Sequence, residues 1–312
     1  MTALLLLLFS LTIELDTVNL PLTGDIKITF APAGKAEMKR EGTVTHIKIE
    51  VEQLRPPLAP LNTYVVWAVS PEGVFENLGE LQVDRNKGQF DGTTRFGQLG
   101  LLITAEPHYM VDRPSSAAAY RSQNTGGQTR RVTIQVEVGQ DDYSNLKPGA
   151  PAIHNSVAQA RTAFQIAQNV GAERIAESEF RQARVALGSM EELITRAAPL
   201  DILWPTANEA IRWAQRAVTA AREKAILTEL RNAKAELEAL NAEKQRLDTR
   251  IRELTQELTQ EQTAAAEQIR TLRASAGTAS SEKDQAEARA QDAERELAEL
   301  KSEVKQKQEE LQ

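Results

Sequence analysis

The sequence predicts a mixed protein, all-β and then all-α: an N-terminal antiparallel β-sandwich, then a helical bundle continuing into a long coiled-coil helix. Three observations predict it. Upstream of about residue 140, apolar residues alternate with polar ones, the period of half-buried strands. The cluster Lys147-Pro148-Gly149-Ala150-Pro151 then breaks the chain. Downstream, Ala, Glu, Gln and Arg dominate, and leucines recur at heptad spacing. The expected division is 1–20 as a signal peptide or first strand, 21–139 as β-sandwich, 140–152 as linker, 153–227 as an Ala-rich helical bundle and 228–312 as coiled coil.

The N-terminal run Ala3–Leu11 includes the unbroken leucines Leu4 to Leu8. It has the length of a signal-peptide core and falls well short of the roughly 20 residues that cross a bilayer. No Lys or Arg precedes it, and no A-x-A site follows. An export signal is the expectation. The alternative is a buried first strand, because Thr12–Leu20 partly alternates.

Asp25–Phe30 and Lys35–Lys39 open the β region. Thr43–Val51 puts Thr43, Thr45, Ile47, Ile49 and Val51 on one face; Val44, His46, Lys48 and Glu50 form a mostly polar opposite face. Arg55-Pro56-Pro57 stops any ladder, since proline has no N–H to donate. Thr63–Val69 is apolar on both faces and reads as a central strand, with a turn at Ser70-Pro71-Glu72-Gly73. Leu78–Val83, Gln89–Thr94, Leu99–Thr104 and Arg131–Val138 complete the set, spaced as in an antiparallel sandwich. Ser115–Gln128, small and polar around Gly126-Gly127, reads as a surface loop.

The helical part begins near Ile153. Val157, Ala160, Phe164 and Ala167 follow with three-to-four spacing, and Gly171 sits where a C-terminal glycine cap belongs. A second helix runs from Ser178 through Phe180, Ala183, Leu187, Met190 and Ile194 to Pro199. Thr206-Ala207-Asn208-Glu209 has capping-box spacing and predicts the start of a third. Ala210, Ala214, Ala217 and Ala221 form a small-residue seam on it, suited to close helix packing. From there the heptads are explicit: Leu230, Leu237, Lys244, Ile251 and Leu258 in one core position, Ala233, Leu240, Leu247 and Leu254 in the other. These nine residues are the candidate coiled-coil interface. Glu261 and Gln268 weaken the seam, Gly277 and Ser280-Ser281 interrupt it, and Leu297, Leu300, Val304 and Leu311 resume it in a shifted register. Lys244, a polar core residue, is of the kind that selects register or strand number. The charges beside it leave orientation open: in a parallel pair Glu229 meets Lys234, but Glu243 faces Asp248.

No catalytic, cofactor or metal site is expected. His46, His108 and His154 lack ligand spacing and read as a surface strand residue, a loop residue and a helix-start residue. Asp141-Asp142 and Glu191-Glu192 are adjacent carboxylates, but neighbours in a helix or linker point apart and are simply solvated. Gly97-Gln98-Leu99-Gly100 reads as turn glycines rather than a nucleotide fingerprint. Trp67 reads as core, and Trp204 as a staple at the bundle's cap. The chain has no cysteine, which excludes disulfides, thiolate metal sites and a cysteine nucleophile. A net charge of −7 argues against nucleic acid as a partner.

At Thr63–Val83 (TYVVWAVSPEGVFENLGELQV) and Gly100–Met110 (GLLITAEPHYM) the chain resembles multidomain bacterial envelope proteins of the OmpA-like superfamily. Ala158–Ala225 is similar to their Ala-rich helical domain at Ala160-Arg161, Gly171-Ala172-Glu173, Phe180 and Ala183-Arg184. The resemblance implies an exported protein of the periplasm or cell envelope, not an integral membrane protein. In that family a peptidoglycan-binding module follows the coil; here the sequence given ends in coil, and no peptidoglycan-gripping residue carries over. The expected function is non-enzymatic scaffolding by a homo-oligomer joined through its coiled coil, with an envelope protein or glycan as a further partner. The alternative is a sensor that binds a peptide or other ligand near the Pro107–Pro114 loop and signals through the coil.

Overall fold

The computed structural model describes residues 11–21, 25–123, 132–138, 143–147 and 154–309. The leucine run as far as Ser10, the loop tip at Gly126-Gly127, Asp141-Asp142, most of the expected linker, Ile153 and Leu311 lie outside them. The chain divides into two compact units, Met1–Glu229 and Leu230–Gln312.

Among the described residues, eleven strands form a single antiparallel sheet: β1 (Leu11–Asn19), β2 (Asp25–Ala31), β3 (Gly34–Glu41), β4 (Val44–Val51), β5 (Thr63–Val69), β6 (Phe75–Glu80), β7 (Gln82–Asp84), β8 (Lys87–Thr94), β9 (Gln98–Glu106), β10 (Ala118–Gln123) and β11 (Val132–Val138). Strand β4 shows how alternation builds them. Thr45, Ile47, Ile49 and Val51 are buried, while His46, Lys48 and Glu50 between them are exposed. Strand β1 realises the first-strand alternative, pairing along β11 from Leu11↔Val138 to Thr17↔Val132.

The sequence predicts a sandwich, but the strands join one hydrogen-bonded sheet that curls into a nearly closed barrel. Its main path is β11-β1-β9-β10-β2-β3-β4-β8-β7, with β5 on the other edge of β9 and β6 beyond β5. The sheet curls until β8 lies against β6, where the Thr94 hydroxyl donates to Glu76. No backbone ladder joins those two strands among the described residues. The barrel is filled from the concave face by Ile28, Phe30, Met38, Ile47, Ile49, Val66, Leu101, Ile103 and their neighbours. A second cluster of Leu15, Val65, Trp67, Val69, Leu102 and Val111 covers the outer face of β5 and β9. Those two strands are therefore buried on both sides, as the apolar run Thr63–Val69 predicts.

Three further differences have local causes. Leu78–Val83 is split at Leu81, whose buried side chain enters the core while its N–H bonds Tyr64 O. The expected loop Ser115–Gln128 contains β10, a strand between β9 and β2. Its buried residues are Tyr120 and Ser122, too polar a pair to register as a hydrophobic period. Gly100 lets β1 cross closely: a side chain there would meet Asp16 O at 2.8 Å and Leu15 at 2.7 Å.

The helices are α1 (Asn155–Asn169), α2 (Ala172–Ile175), α3 (Glu177–Thr195) and α4 (Leu200–Glu309). Gly171, at φ 71°, follows the end of α1 as predicted, and its N–H bonds Gln168 O. Helix α4 starts six residues before the predicted capping box. Pro199 O accepts from both Ile202 and Leu203 N–H, and the Thr206 hydroxyl turns back to Ile202 O instead of capping. Pro205 lies inside the helix and Trp204 is exposed, not a staple. Ala210, Ala214, Ala217 and Ala221 are fully buried against α1 and α3 in one core with Val157, Ala163, Phe180 and Met190. Farther on, α4 passes Gly277 without a break. A glycine costs a helix only about 1 kcal/mol, too little to interrupt a strong run.

Candidate functional site

The nine predicted seam residues all lie on α4, and all are exposed. Leu230, Leu237, Leu240, Leu247, Ile251, Leu254 and Leu258 are 47–65 % accessible. Ile269, Leu272, Leu297, Leu300 and Val304 extend the stripe and are equally uncovered. Elsewhere on the helix the ordinary rule holds: the alanine seam at 210–221 is sealed in a core. An apolar stripe this long is uncommon on a helix that faces only water. Ion pairs along the helix, Arg250–Glu253 (3.1 Å) and Lys283–Glu287 (3.6 Å), add support to it.

A second polar assembly lies where β5, β6 and the loop after β9 meet the helices. Glu80 accepts from the Thr63 hydroxyl and from Gln159 Nε2 of α1 (2.7 Å). Gln159 Oε1 in turn accepts Tyr109 N–H (2.9 Å). Asn62 Nδ2 donates to Thr162 Oγ1 (3.0 Å) and Pro107 O (2.8 Å); Asn77 Nδ2 donates to the carbonyls of Tyr109 and Val111 (2.9 and 2.7 Å). Arg222 of α4 reaches Asp112 at 3.2 Å. Asn62, Asn77 and Gln159 each hold the Pro107–Pro114 segment by at least one of these bonds, and Gln159 and Asn62 also tie the sheet side to α1. That segment joins the sheet to the helices.

Within this joint His108 lies in a loop, as its sequence reading has it, and the loop buries it, 1 % accessible. Neither ring nitrogen has a protein hydrogen-bond partner. Burial first, and the Arg222 charge second, push its pKa down to about 3. The nearby Glu106 carboxylate is also buried and accepts from Ser115 N–H (2.7 Å) and the Thr104 hydroxyl, which itself accepts from Trp67 Nε1 (2.8 Å). Both groups are sealed from solvent. His108 carries no signal of its own, but the apolar neighbours Tyr109, Met110 and Val111 mark its segment as packed.

The other nominated groups find structural partners. His46 is exposed on β4, and His154 caps α1, its Nδ1 accepting Ser156 N–H (3.2 Å). Glu191 forms a two-bond pair with Arg161 (2.7 Å each), which holds its carboxyl below the usual range; Glu192 pairs with Arg196. Among the described residues no cluster of His, Asp and Glu is arranged to hold a metal. Among the described residues lie shallow grooves of about 520 Å³ beside Tyr120 and Arg121 and about 370 Å³ beside Pro71 and Phe96. No described helix is long and apolar enough to cross a membrane.

Comparison with family models, curated proteins and solved structures finds nothing that matches this chain.

Proposed function

We propose that this protein is a non-enzymatic structural component of the bacterial cell envelope, exported to the periplasm. Its β domain and helical bundle are carried on a helical stalk that associates with further copies of itself. The uncovered seam from Leu230 to Leu258 carries this reading. Covering a half-exposed leucine or isoleucine contributes on the order of 1 kcal/mol. The large seam residues of each copy thus offer enough apolar surface for association, and their heptad spacing suits another helix best. The resemblance at Thr63–Val83, Gly100–Met110 and Ala158–Ala225 supports the envelope assignment. The sealed state of Glu106 and His108 favours a structural role over a catalytic one.

Sedimentation of the full chain at micromolar concentration tests the stalk: the expected mass is a multiple of 34.4 kDa. A monomer across that range overturns it. Fractionation of the native host, with N-terminal sequencing of the product, tests export; recovery of an unprocessed chain in the cytoplasm overturns the envelope assignment.

A further inference from the structure

We infer that the seam takes one second copy of this chain, parallel and in register, and that Lys244 and Lys283 set this arrangement. The inference rests on the self-association proposed above and adds its geometry. After Leu258 the heptad phase shifts and is re-established at Ile269, Leu272, Ala276, Ala279, Lys283, Ala286, Ala290, Ala293, Leu297, Leu300 and Val304. Two core layers therefore hold a lysine: Lys244 in the first block and Lys283 in the second.

In a parallel, in-register pair, each residue flanking one side of the seam faces the partner residue five positions further on. Most charged pairs so formed are attractive: Glu229 with Lys234, Arg289 with Glu294 and Glu296 with Lys301. Two are repulsive, Glu243 with Asp248 and Glu282 with Glu287. These two clashes fall at the layers that hold Lys244 and Lys283. A lysine stem can lie in the seam while its ammonium emerges at the edge, between the paired acids. Lys283 already makes this move within one helix, reaching Glu287 at 3.6 Å. Each like-charge pair is thus partly offset by the core lysine beside it, one ammonium against two carboxylates, and the phase shift falls at the same height in both helices.

The rival is an antiparallel pair centred on Ala265, because the seam spacing Leu258, Glu261, Ala265, Ile269, Leu272 reads the same in both directions. It sets Leu230 opposite Leu300 and Ile251 opposite Ala279. It also brings Glu229 against Glu303 and Glu236 against Glu296, with no lysine in either layer. The same facing sets Glu243 against Arg289, Arg250 against Glu282 and Lys234 against Glu294, so attractive and repulsive pairs number three and two in either arrangement. The lysine beside each clash, present only in the parallel pair, favours that arrangement.

The chain lacks cysteine, so single-cysteine variants of the full protein report orientation directly. Ala265→Cys lies opposite itself in both arrangements and should cross-link in either on oxidation. Ile251→Cys and Leu297→Cys should each cross-link to themselves only if the pair is parallel. Cross-linking of all three variants, with a sedimentation mass of two chains before oxidation, is the expected result. Cross-linking of Ala265→Cys alone, together with a mixed product from Ile251→Cys and Ala279→Cys, overturns the orientation while leaving self-association standing. A monomeric mass overturns both readings, and a mass of three or more chains overturns the pair.

Discussion

His108 is a neutral imidazole held in a place with no protein acceptor or donor for it, beside a guanidinium. Its folded pKa of about 3 lies below the ordinary 6.5 that the unfolded chain keeps. Between those values the unfolded state binds a proton that the folded state refuses, so stability falls as pH drops through this window. The full contribution is present above about pH 6.5, and the loss is at most ~1.4 kcal/mol per pH unit for one proton. Urea midpoints of the wild type and His108→Leu, compared from pH 7.5 to 4, check this. The variant should lose less stability on acidification. At neutral pH it should be as stable as the wild type or more so, because a buried polar group without partners costs about 1–3 kcal/mol. Parallel curves for the two proteins would show that the ring is solvated or paired in solution.

Strand β10 makes the corresponding case for an element. One edge of β9 is shared: β10 pairs with Leu102–Thr104, and β1 pairs with Gln98 and Leu99. The Leu101 N–H falls in the gap between them, and Ser122 Oγ accepts it at 2.9 Å while donating to Asp16 O at 3.1 Å. A single hydroxyl thus stitches three strands. Ser122→Ala should destabilise the β domain by about 1–3 kcal/mol, since the buried Leu101 N–H then has no acceptor. Chemical denaturation followed by tryptophan fluorescence measures it, and a loss below about 0.5 kcal/mol would mean that the stitch contributes nothing. This element also shows where the sequence is mute. Strands β4 and β5 are legible because burial there is apolar and periodic, and the alanine seam of α4 is legible for the same reason. Strand β10 is held by a tyrosine and a serine, whose burial is licensed by hydrogen bonds that no hydropathy pattern records. The curl of the sheet depends on which distant strands pair, and alternation says which face is inside but not who the neighbour is. The start of α4 was masked by a capping-box pattern that tertiary packing did not use. The helical run that carries the nine seam residues was legible, because heptad spacing is a purely local property of the chain.

At the scale of the whole molecule, two kinds of stability are joined in one chain. All three tryptophans, Trp67, Trp204 and Trp213, lie in the unit Met1–Glu229, so fluorescence reports that unit alone. Helical circular dichroism is dominated by α4, most of which lies beyond Glu229. The cores of the first unit are closed within one copy, whereas in the proposed pairing the seam is completed by another. Mass action then separates the two signals: anything that binds the folded form raises its apparent stability with concentration. The midpoint of the helical transition should rise as protein concentration is raised a hundredfold, while the fluorescence midpoint stays fixed. A charge in the middle of the seam should remove the difference. Ile251→Glu places two carboxylates in one apolar layer of a pair, yet in a single copy it replaces a side chain that is already 61 % exposed. The variant should lose the concentration dependence of its helical transition and keep the wild-type fluorescence midpoint, since exposed substitutions away from a core usually stay within about 0.5 kcal/mol. If the wild-type helical midpoint is independent of concentration, the long helix stands by itself, and the apolar stripe has some purpose other than pairing.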